Sequence, residues 1–525
     1  MQRGLSALHV SALGARSRHA LAVTSLVSIV SGVAALLSWG HGFPDPDVYY
    51  HAALASQISH GEVVRHFTWL PLTVLAQSFA DHHFLLHVFE APFVALGGLT
   101  GIKVTTALLA SLSMVVYYEV LRRYRVPGAF WWTILAFITA PFLFRLNLVK
   151  ALSLSLIFYL LGLSALVERR QWRLFFISAL YVWAYGGWPL LWVTSLIIVP
   201  VRVCLEKKLS REMFNGFFAA SAGSLVGLVV NPWFPQNVVF YWYQVVEIAL
   251  APGGNAAAGQ EWSSLDPAML FPRILPLVMA FLVVLLVGFF ALSVEPKRLF
   301  QGSQVGSSGR LRFLTTGMAV LFLIATMLSR RYVEYLVPLG FLSVSLWAAY
   351  LSELGVWRAL FESMKQNFRR ETTATFLLLY LLGVTVGGYF FVNDYQTYEV
   401  FRASSPVQTL KSVAEHLSVV GEPGDLIFNL RWDEFPQLFY YNQNVRYLWG
   451  LDARFLPNAS EVIEARKNLV EGDAAPLKTL MQEIHSNILV ISARDQSQKL
   501  VSALRRSGYR LRYTDSDGAI FSLPL

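Results

Sequence analysis

Two carboxylates, Asp45 and Asp47, stand two residues apart in Gly42-Phe43-Pro44-Asp45-Pro46-Asp47-Val48-Tyr49-Tyr50-His51. The stretch follows directly on Ala20–Trp39, an uncharged apolar run long enough to cross a bilayer. Acids where a chain leaves a membrane usually mark binding or catalysis rather than packing. A carboxylate here could act as general base towards an incoming nucleophile. Two of them could meet one cation or one polar acceptor. Pro44 and Pro46 would by themselves make an acidic turn with no chemistry at all. Tyr50 and His51 are candidate acceptor contacts. An ordinary interfacial aromatic cluster is the competing account of Tyr49 and Tyr50.

Four further clusters could carry chemistry. In Asp81-His82-His83 a carboxylate sits beside imidazole, a donor set that suits a divalent transition metal. A polar loop capping the next helix explains His83 and His87 equally well. Arg330-Arg331 is the paired basic cluster of the outer membrane loops, and guanidinium binds phosphate oxygens bidentately without losing its charge. Arg145 and Lys150 flank another outer turn and could serve the same anion; snorkelling to lipid phosphates is the alternative. Glu261, beside Trp262 on a loop with the flexible run Pro252-Gly253-Gly254-Asn255, could close over a bound acceptor. Trp432 and Asp433, after a predicted strand, form a recognition edge or a structural contact of a buried Trp.

These residues need a frame, and composition supplies it. The chain has 525 residues, 55% hydrophobic and only 14% charged, where a soluble protein would carry about a quarter charged. It is therefore a polytopic membrane protein with room for one further domain. The net charge of +9 does not point to nucleic acid, because of where the charges sit. The single cysteine, Cys204, excludes an intramolecular disulfide and a Cys-based zinc cluster. Arg3, Arg16 and Arg18 precede the first apolar run as in a signal sequence. No Ala-x-Ala cleavage site follows Trp39, so the run is expected to remain as an anchor.

Eleven membrane spans are expected: Ala20–Trp39, Leu99–Leu121, Pro127–Leu146, Ala151–Val167, Leu174–Tyr185, Trp188–Leu205, Phe214–Val230, Ile274–Leu292, Phe313–Leu328, Val333–Leu351 and Phe376–Val392. With the N-terminus in the cytoplasm, the cytoplasmic segments hold twenty-one Lys and Arg. The opposite loops hold six: Arg65, Arg145, Lys150, Arg273, Arg330 and Arg331. That bias sets the orientation and places Asp45 outside. His82–Gly98 is then expected as helical pieces at the outer interface. Residues 1–392 are expected as a membrane domain with outer loops 40–98 and 231–271, and residues 393–525 as an extracytoplasmic domain. In the latter, apolar runs at Asp425–Leu430, Asn487–Ser492 and Ala519–Leu523 alternate with amphipathic segments, which predicts a small α/β layer domain. No GxGxxG after a strand and no Walker loop is present, so nucleotide binding has no support.

In this order, the clusters resemble the catalytic subunit of oligosaccharyltransferase within the GT-C glycosyltransferases. Gly42-Phe43-Pro44-Asp45 matches the family's Gly-x-x-Asp motif. Tyr181-Val182-Trp183-Ala184-Tyr185-Gly186-Gly187-Trp188 looks like its Ser-Ala-Trp-Gly-Gly segment. Gln260-Glu261-Trp262 is similar to its outer-loop Ser-x-x-Glu. Arg331-Tyr332-Val333-Glu334-Tyr335-Leu336-Val337-Pro338 looks like the Arg-Phe…Tyr…Pro start of a late span, whose arginine contacts the lipid-linked pyrophosphate. Trp432-Asp433-Glu434-Phe435 stands in place of Trp-Trp-Asp-Tyr-Gly.

The resemblance implies a GT-C-like membrane bundle and a polyprenyl-phosphate- or pyrophosphate-linked sugar donor. It implies Asp45, Asp47 and Glu261 as catalytic residues, and Arg330, Arg331, Arg145 and Lys150 as phosphate contacts. Trp432, Asp433, Tyr50 and His51 would meet the acceptor. Where the family has a second acidic motif, this chain reads Arg145-Leu146-Asn147-Leu148-Val149-Lys150, with no carboxylate. A divalent cation, Mg or Mn, is the candidate cofactor, with Asp45, Asp81 and His82 its candidate ligands. The rewritten Trp-Asp region leaves protein, lipid and glycan acceptors open. A second class of function is a transporter or flippase for a charged lipid, which would put ionisable residues near the middle of several spans. Apart from Lys103 and Glu119 near span ends the spans hold almost none, which favours the enzyme. The expected location is the cell (inner or plasma) membrane.

Overall fold

The computed structural model describes residues 2–248, 263–294, 306–367 and 372–524. Each of the eleven apolar segments is helical. By length and composition, however, seven helices are able to cross a membrane among the described residues, or eight if one bent pair counts as a single span. Three expected spans are not among them: Phe376–Val392, in helix Thr372–Arg402, and two that are short. Leu152–Val167 has 16 residues and Gln171–Ala184 has 14, about 24 and 21 Å of helix against a hydrocarbon core of about 30 Å. The bent pair is Ala129–Phe137 and Ala140–Leu146, which meet at 79°. Pro141 opens the second helix, and Thr139 before it is extended.

The chain divides into two compact units. The first comprises 1–39, 106–226 and 264–402; the second comprises 40–105, 227–263 and 403–525. Helix Thr372–Arg402 continues ten residues past the expected end of its span at Val392, so the change in character at residue 393 is not a break in secondary structure.

In the first unit the deepest helix is Val333–Glu353. Its membrane-length stretch, Arg330–Glu353, is 83% buried. It packs against Ser307–Leu328, Leu275–Val294 and both arms of the bent pair. Being apolar all round, it suits a central position. Tyr117 donates to the carbonyl of Pro338 at 2.9 Å inside it.

The second unit is built on a five-stranded sheet in the order β2-β1-β3-β5-β4, with β1 Leu426–Asn429, β2 Arg446–Tyr447, β3 Ile488–Ser492, β4 Arg510–Thr514 and β5 Gly518–Ser522. β1 pairs in parallel with β2 and β3, and β5 runs antiparallel to β3 and β4. β3 is buried along its whole length, as a parallel strand covered on both faces must be. Helices Ala459–Glu471, Ala475–Glu483 and Gln498–Arg506 contribute to its core, where Trp449 is 2% exposed. The edge strand β4 is mostly exposed and carries Arg510 and Arg512, charges that discourage further pairing. Helix Asp47–Ser59 packs against helix Phe435–Tyr441 of the same unit. Phe84–Arg123 is two helices joined at a kink at Gly98 (φ 53°, ψ −131°). The break separates the piece expected at the interface from the span expected at Leu99.

Candidate functional site

Two buried charged side chains of the first unit, Arg145 and Glu334, meet at the start of helix Val333–Glu353. A single 3₁₀ turn, Arg330–Tyr332, leads into it from the extended Ser329. Arg145, in the last turn of the bent pair's second helix, donates from Nε and Nη2 to Glu334 Oε2 at 3.1 and 2.7 Å. Arg145 is 8% and Glu334 1% exposed. Arg331 Nη2 donates to the Tyr185 hydroxyl, and its Nε lies 4.0 Å from Glu334 Oε1. Two guanidiniums thus share one carboxylate, which leaves the cluster cationic. Tyr185 is extended (φ −163°, ψ 139°) just after helix Gln171–Ala184. Its ring needs Gly187, because a Cβ there would lie 2.5 Å from Tyr185 Cε1. Beneath it the Ser155 hydroxyl joins Tyr181 and Tyr335 at 2.6 and 2.7 Å. Such a cluster suits an anion held by charge and a planar fork.

Of the expected phosphate contacts, Arg145 and Arg331 therefore converge on one carboxylate. Arg330 is exposed, and Lys150 is half-buried at the other end of Arg145's turn. Glu334 was not singled out by the sequence. Its signal is an acid three residues after an arginine inside an otherwise apolar run.

In the second unit Asp45 Oδ1 accepts the backbone N–H of Asp47 at 3.0 Å. Asp45 thus closes an Asx turn at the start of helix Asp47–Ser59, and the helix dipole favours both carboxylates there. Gly42 is required by close approach: a Cβ would lie 1.7 Å from the Ser405 carbonyl oxygen. Lys103 Nζ donates to the His41 carbonyl at 2.6 Å and stands 5.0 Å from the Phe43 ring centroid. The whole Gly42–Asp47 motif is thereby fastened.

Behind it lies a chain of imidazoles. His87 Nδ1 bonds Asp81 Oδ2 and His87 Nε2 bonds His51 Nδ1, each at 2.7 Å. All three residues are under 5% exposed. Asp81 orients the His87 ring through Nδ1, and His87 in turn orients His51 through Nε2. Tyr50 packs against His51, His87, Phe67 and Phe439, and burial pushes its hydroxyl well above the usual range.

Two of the expected metal ligands, Asp81 and His82, turn to different partners. Asp81 turns to His87, six residues on, while His82 Nε2 meets the Gln244 side chain at 3.1 Å. Among the described residues no three of His, Cys, Asp and Glu converge on a metal position, Asp45, Asp81 and His82 included.

Trp432 is half-buried against the core of the α/β layer. Asp433 is engaged by Arg431 at 3.0 Å and Arg494 at 2.9 Å. Burial would raise its carboxyl, but the two arginines outweigh it and hold it below its usual value. Glu434 beside it is fully buried, and neither of its carboxylate oxygens is within hydrogen-bond geometry of a partner among the described residues. Burial raises it to about 7, although Arg494 lies 3.6 Å away. Glu261 lies outside the described residues.

The architecture has counterparts among solved structures. The apo oligosaccharyltransferase of Archaeoglobus fulgidus superposes with a TM-score of 0.61 at 10% identity, over 96% of this chain and 74% of that one. ArnT from Cupriavidus metallidurans, bound to undecaprenyl phosphate, gives 0.52 at 15% identity, over 95% and 97%. The oligosaccharyltransferase AglB from Archaeoglobus fulgidus, in complex with an inhibitory peptide and a dolichol-phosphate, also matches at 0.61 and 10%. No protein-family model and no curated protein matches the sequence. The chain shares the GT-C fold of these solved structures, and among the described residues seven helices, or eight with the bent pair, are long and apolar enough to cross a membrane.

Proposed function

We propose that this protein is a membrane glycosyltransferase that takes a sugar from a polyprenyl-phosphate or pyrophosphate carrier and transfers it to an acceptor on the outer face of the cell membrane. The observation that carries this reading is the cluster of Arg331, Arg145, Glu334 and Tyr185 at the start of helix Val333–Glu353. In it Arg331 would hold the donor phosphate. Its charge would stabilise the leaving phosphate as the anomeric C–O bond breaks. The solved neighbours support a lipid-linked donor, since one holds undecaprenyl phosphate and another a dolichol-phosphate.

Asp45 would orient or deprotonate the acceptor, with Asp47 beside it at the helix start and Glu261 supplied by the outer loop. Trp432, Asp433, Tyr50 and His51 remain the proposed acceptor contacts, and Arg330 and Lys150 the proposed outer phosphate contacts. Burial of Tyr50 and His51 gives both a packing role as well.

The test is reconstitution of the purified protein in liposomes with a radiolabelled polyprenyl-phosphate sugar. The reading expects label to leave the lipid and appear on an acceptor. A flippase would move the lipid between leaflets and leave the sugar attached, which would contradict it.

A further inference from the structure

Three helices line a half-open groove of about 580 Å³ at the end of the bundle that the charge bias assigns to the cytoplasm. Phe84–Arg123 and Leu152–Val167 end there and Gln171–Ala184 begins there. Each presents one face. Val116, Val120 and Arg123 follow helical spacing, as do Leu161, Ala165 and Glu168, and Arg173 with Ile177. Arg122, Arg123, Glu168 and Arg173 stand at the ends of their helices, Glu119 one turn further in, and Val116, Leu161 and Ile177 lie towards the middle of the bundle. The groove therefore grades from cationic at its mouth to apolar along its walls.

Its charges are only partly spent. Arg122 gives Nε and Nη2 to Glu119 at 3.1 and 3.0 Å. Arg123 gives the same two groups to Glu168. In both, Nη1 has no partner among the described residues. Arg173 is exposed and has neither an ion pair nor a hydrogen bond among them. Three guanidiniums against two carboxylates leave one net positive charge, with donors that an oxyanion could take up together.

We propose that this groove binds an anionic phospholipid of the inner leaflet. Its phosphate would lie on Arg173 and the Nη1 groups of Arg122 and Arg123, and one acyl chain would run along Val116, Leu161 and Ile177. The polarity gradient argues for an amphiphile, because a soluble phosphate would have no use for the apolar walls. Basic pockets between helices on the cytoplasmic side are suited to acidic headgroups, and each arginine near the surface adds about fivefold in affinity. The site uses none of the residues proposed for the transfer and does not depend on it.

The test is native mass spectrometry of the full-length protein, delipidated in neutral detergent and titrated with phosphatidylglycerol or phosphatidylcholine. Phosphatidylglycerol should bind in preference. Arg173→Ala should weaken it about fivefold and Arg173→Lys should restore part of that. Leu161→Trp, which fills the groove without changing charge, should weaken both lipids. Arg358→Ala, on the exposed helix Val356–Asn367, is the control and should change neither. Equal affinity for the two lipids, displacement by millimolar inorganic phosphate, or indifference to both Arg173→Ala and Leu161→Trp would overturn the proposal.

Discussion

Arg145 and Glu334, 189 residues apart in sequence, form a buried ion pair with 2.7 Å between Nη2 and Oε2, and Arg331 stands 4.0 Å from the other carboxylate oxygen. One acid thereby ties down one arginine and places a second. The division of labour that follows is testable: Arg145 and Glu334 maintain the structure, and Arg331 meets the ligand.

Glu334→Gln should damage folding more than chemistry. It leaves Arg145 buried without its counter-charge, and removing one partner of such a pair costs about 3–5 kcal/mol. The variant should melt well below the wild type in detergent. Arg145→Met with Glu334→Leu should recover much of the loss, since no lone charge is then buried. A wild-type melting temperature for Glu334→Gln would show that the pair does not support the bundle.

Asp45→Asn separates shape from charge. The asparagine Oδ1 can still accept the Asp47 N–H that now reaches Asp45 at 3.0 Å. Expression and melting should stay normal, while turnover falls by about 10²-fold or more. Purified Asp45→Asn with near-normal turnover would remove Asp45 from the mechanism.

Glu434 predicts a pH dependence of stability. Burial lifts its folded pKa from 4.5 to about 7. The native state therefore keeps a proton that the unfolded chain gives up. Its stabilising contribution is complete below about pH 4.5 and is lost as the pH rises through 7. A shift of this size corresponds to on the order of 3 kcal/mol. Glu434→Gln should flatten the fall in melting temperature between about pH 5 and pH 8, and at pH 8 should melt above the wild type. Parallel curves for the two proteins would mean that Glu434 is ionised throughout.

The orientation rests on charge bias and can be read directly. Asn458 is exposed in the α/β layer, and Cys204 is the single, exposed cysteine. Asn458→Cys in a Cys204→Ser background should react with an impermeant maleimide in intact spheroplasts. Labelling only after lysis would reverse the topology and put Asp45 on the cytoplasmic side.

The sequence made the helices legible because each apolar run is long and bounded by charge. Length is also where it overreached: Leu152–Val167 and Gln171–Ala184 are apolar but short. The three buried strands of the α/β layer stood out as apolar runs. The edge strand Arg510–Thr514 did not, because its exposed face is polar, and Arg446–Tyr447 spans only two residues. The site was legible where chemistry is local, as in Gly42–Asp47, where a close approach demands the glycine. It was not legible where chemistry is tertiary. Adjacency suggested Asp81 with His82, but the carboxylate reaches one and a half turns on to His87, which in turn meets His51, 36 residues away. Glu334 was hidden for the same reason, since its partner lies in another helix.

The most direct test of the account is donor kinetics at Arg331, with protein yield followed alongside. Lysine keeps the charge but loses the planar fork that now reaches Tyr185. Truncation removes a charge-assisted contact worth about 1.5–3 kcal/mol. With a polyprenyl-phosphate sugar as donor, Arg331→Ala should raise KM by about tenfold or more at normal yield, and Arg331→Lys should recover only part of it. Unchanged KM and kcat in Arg331→Ala would contradict a donor phosphate held by this arginine.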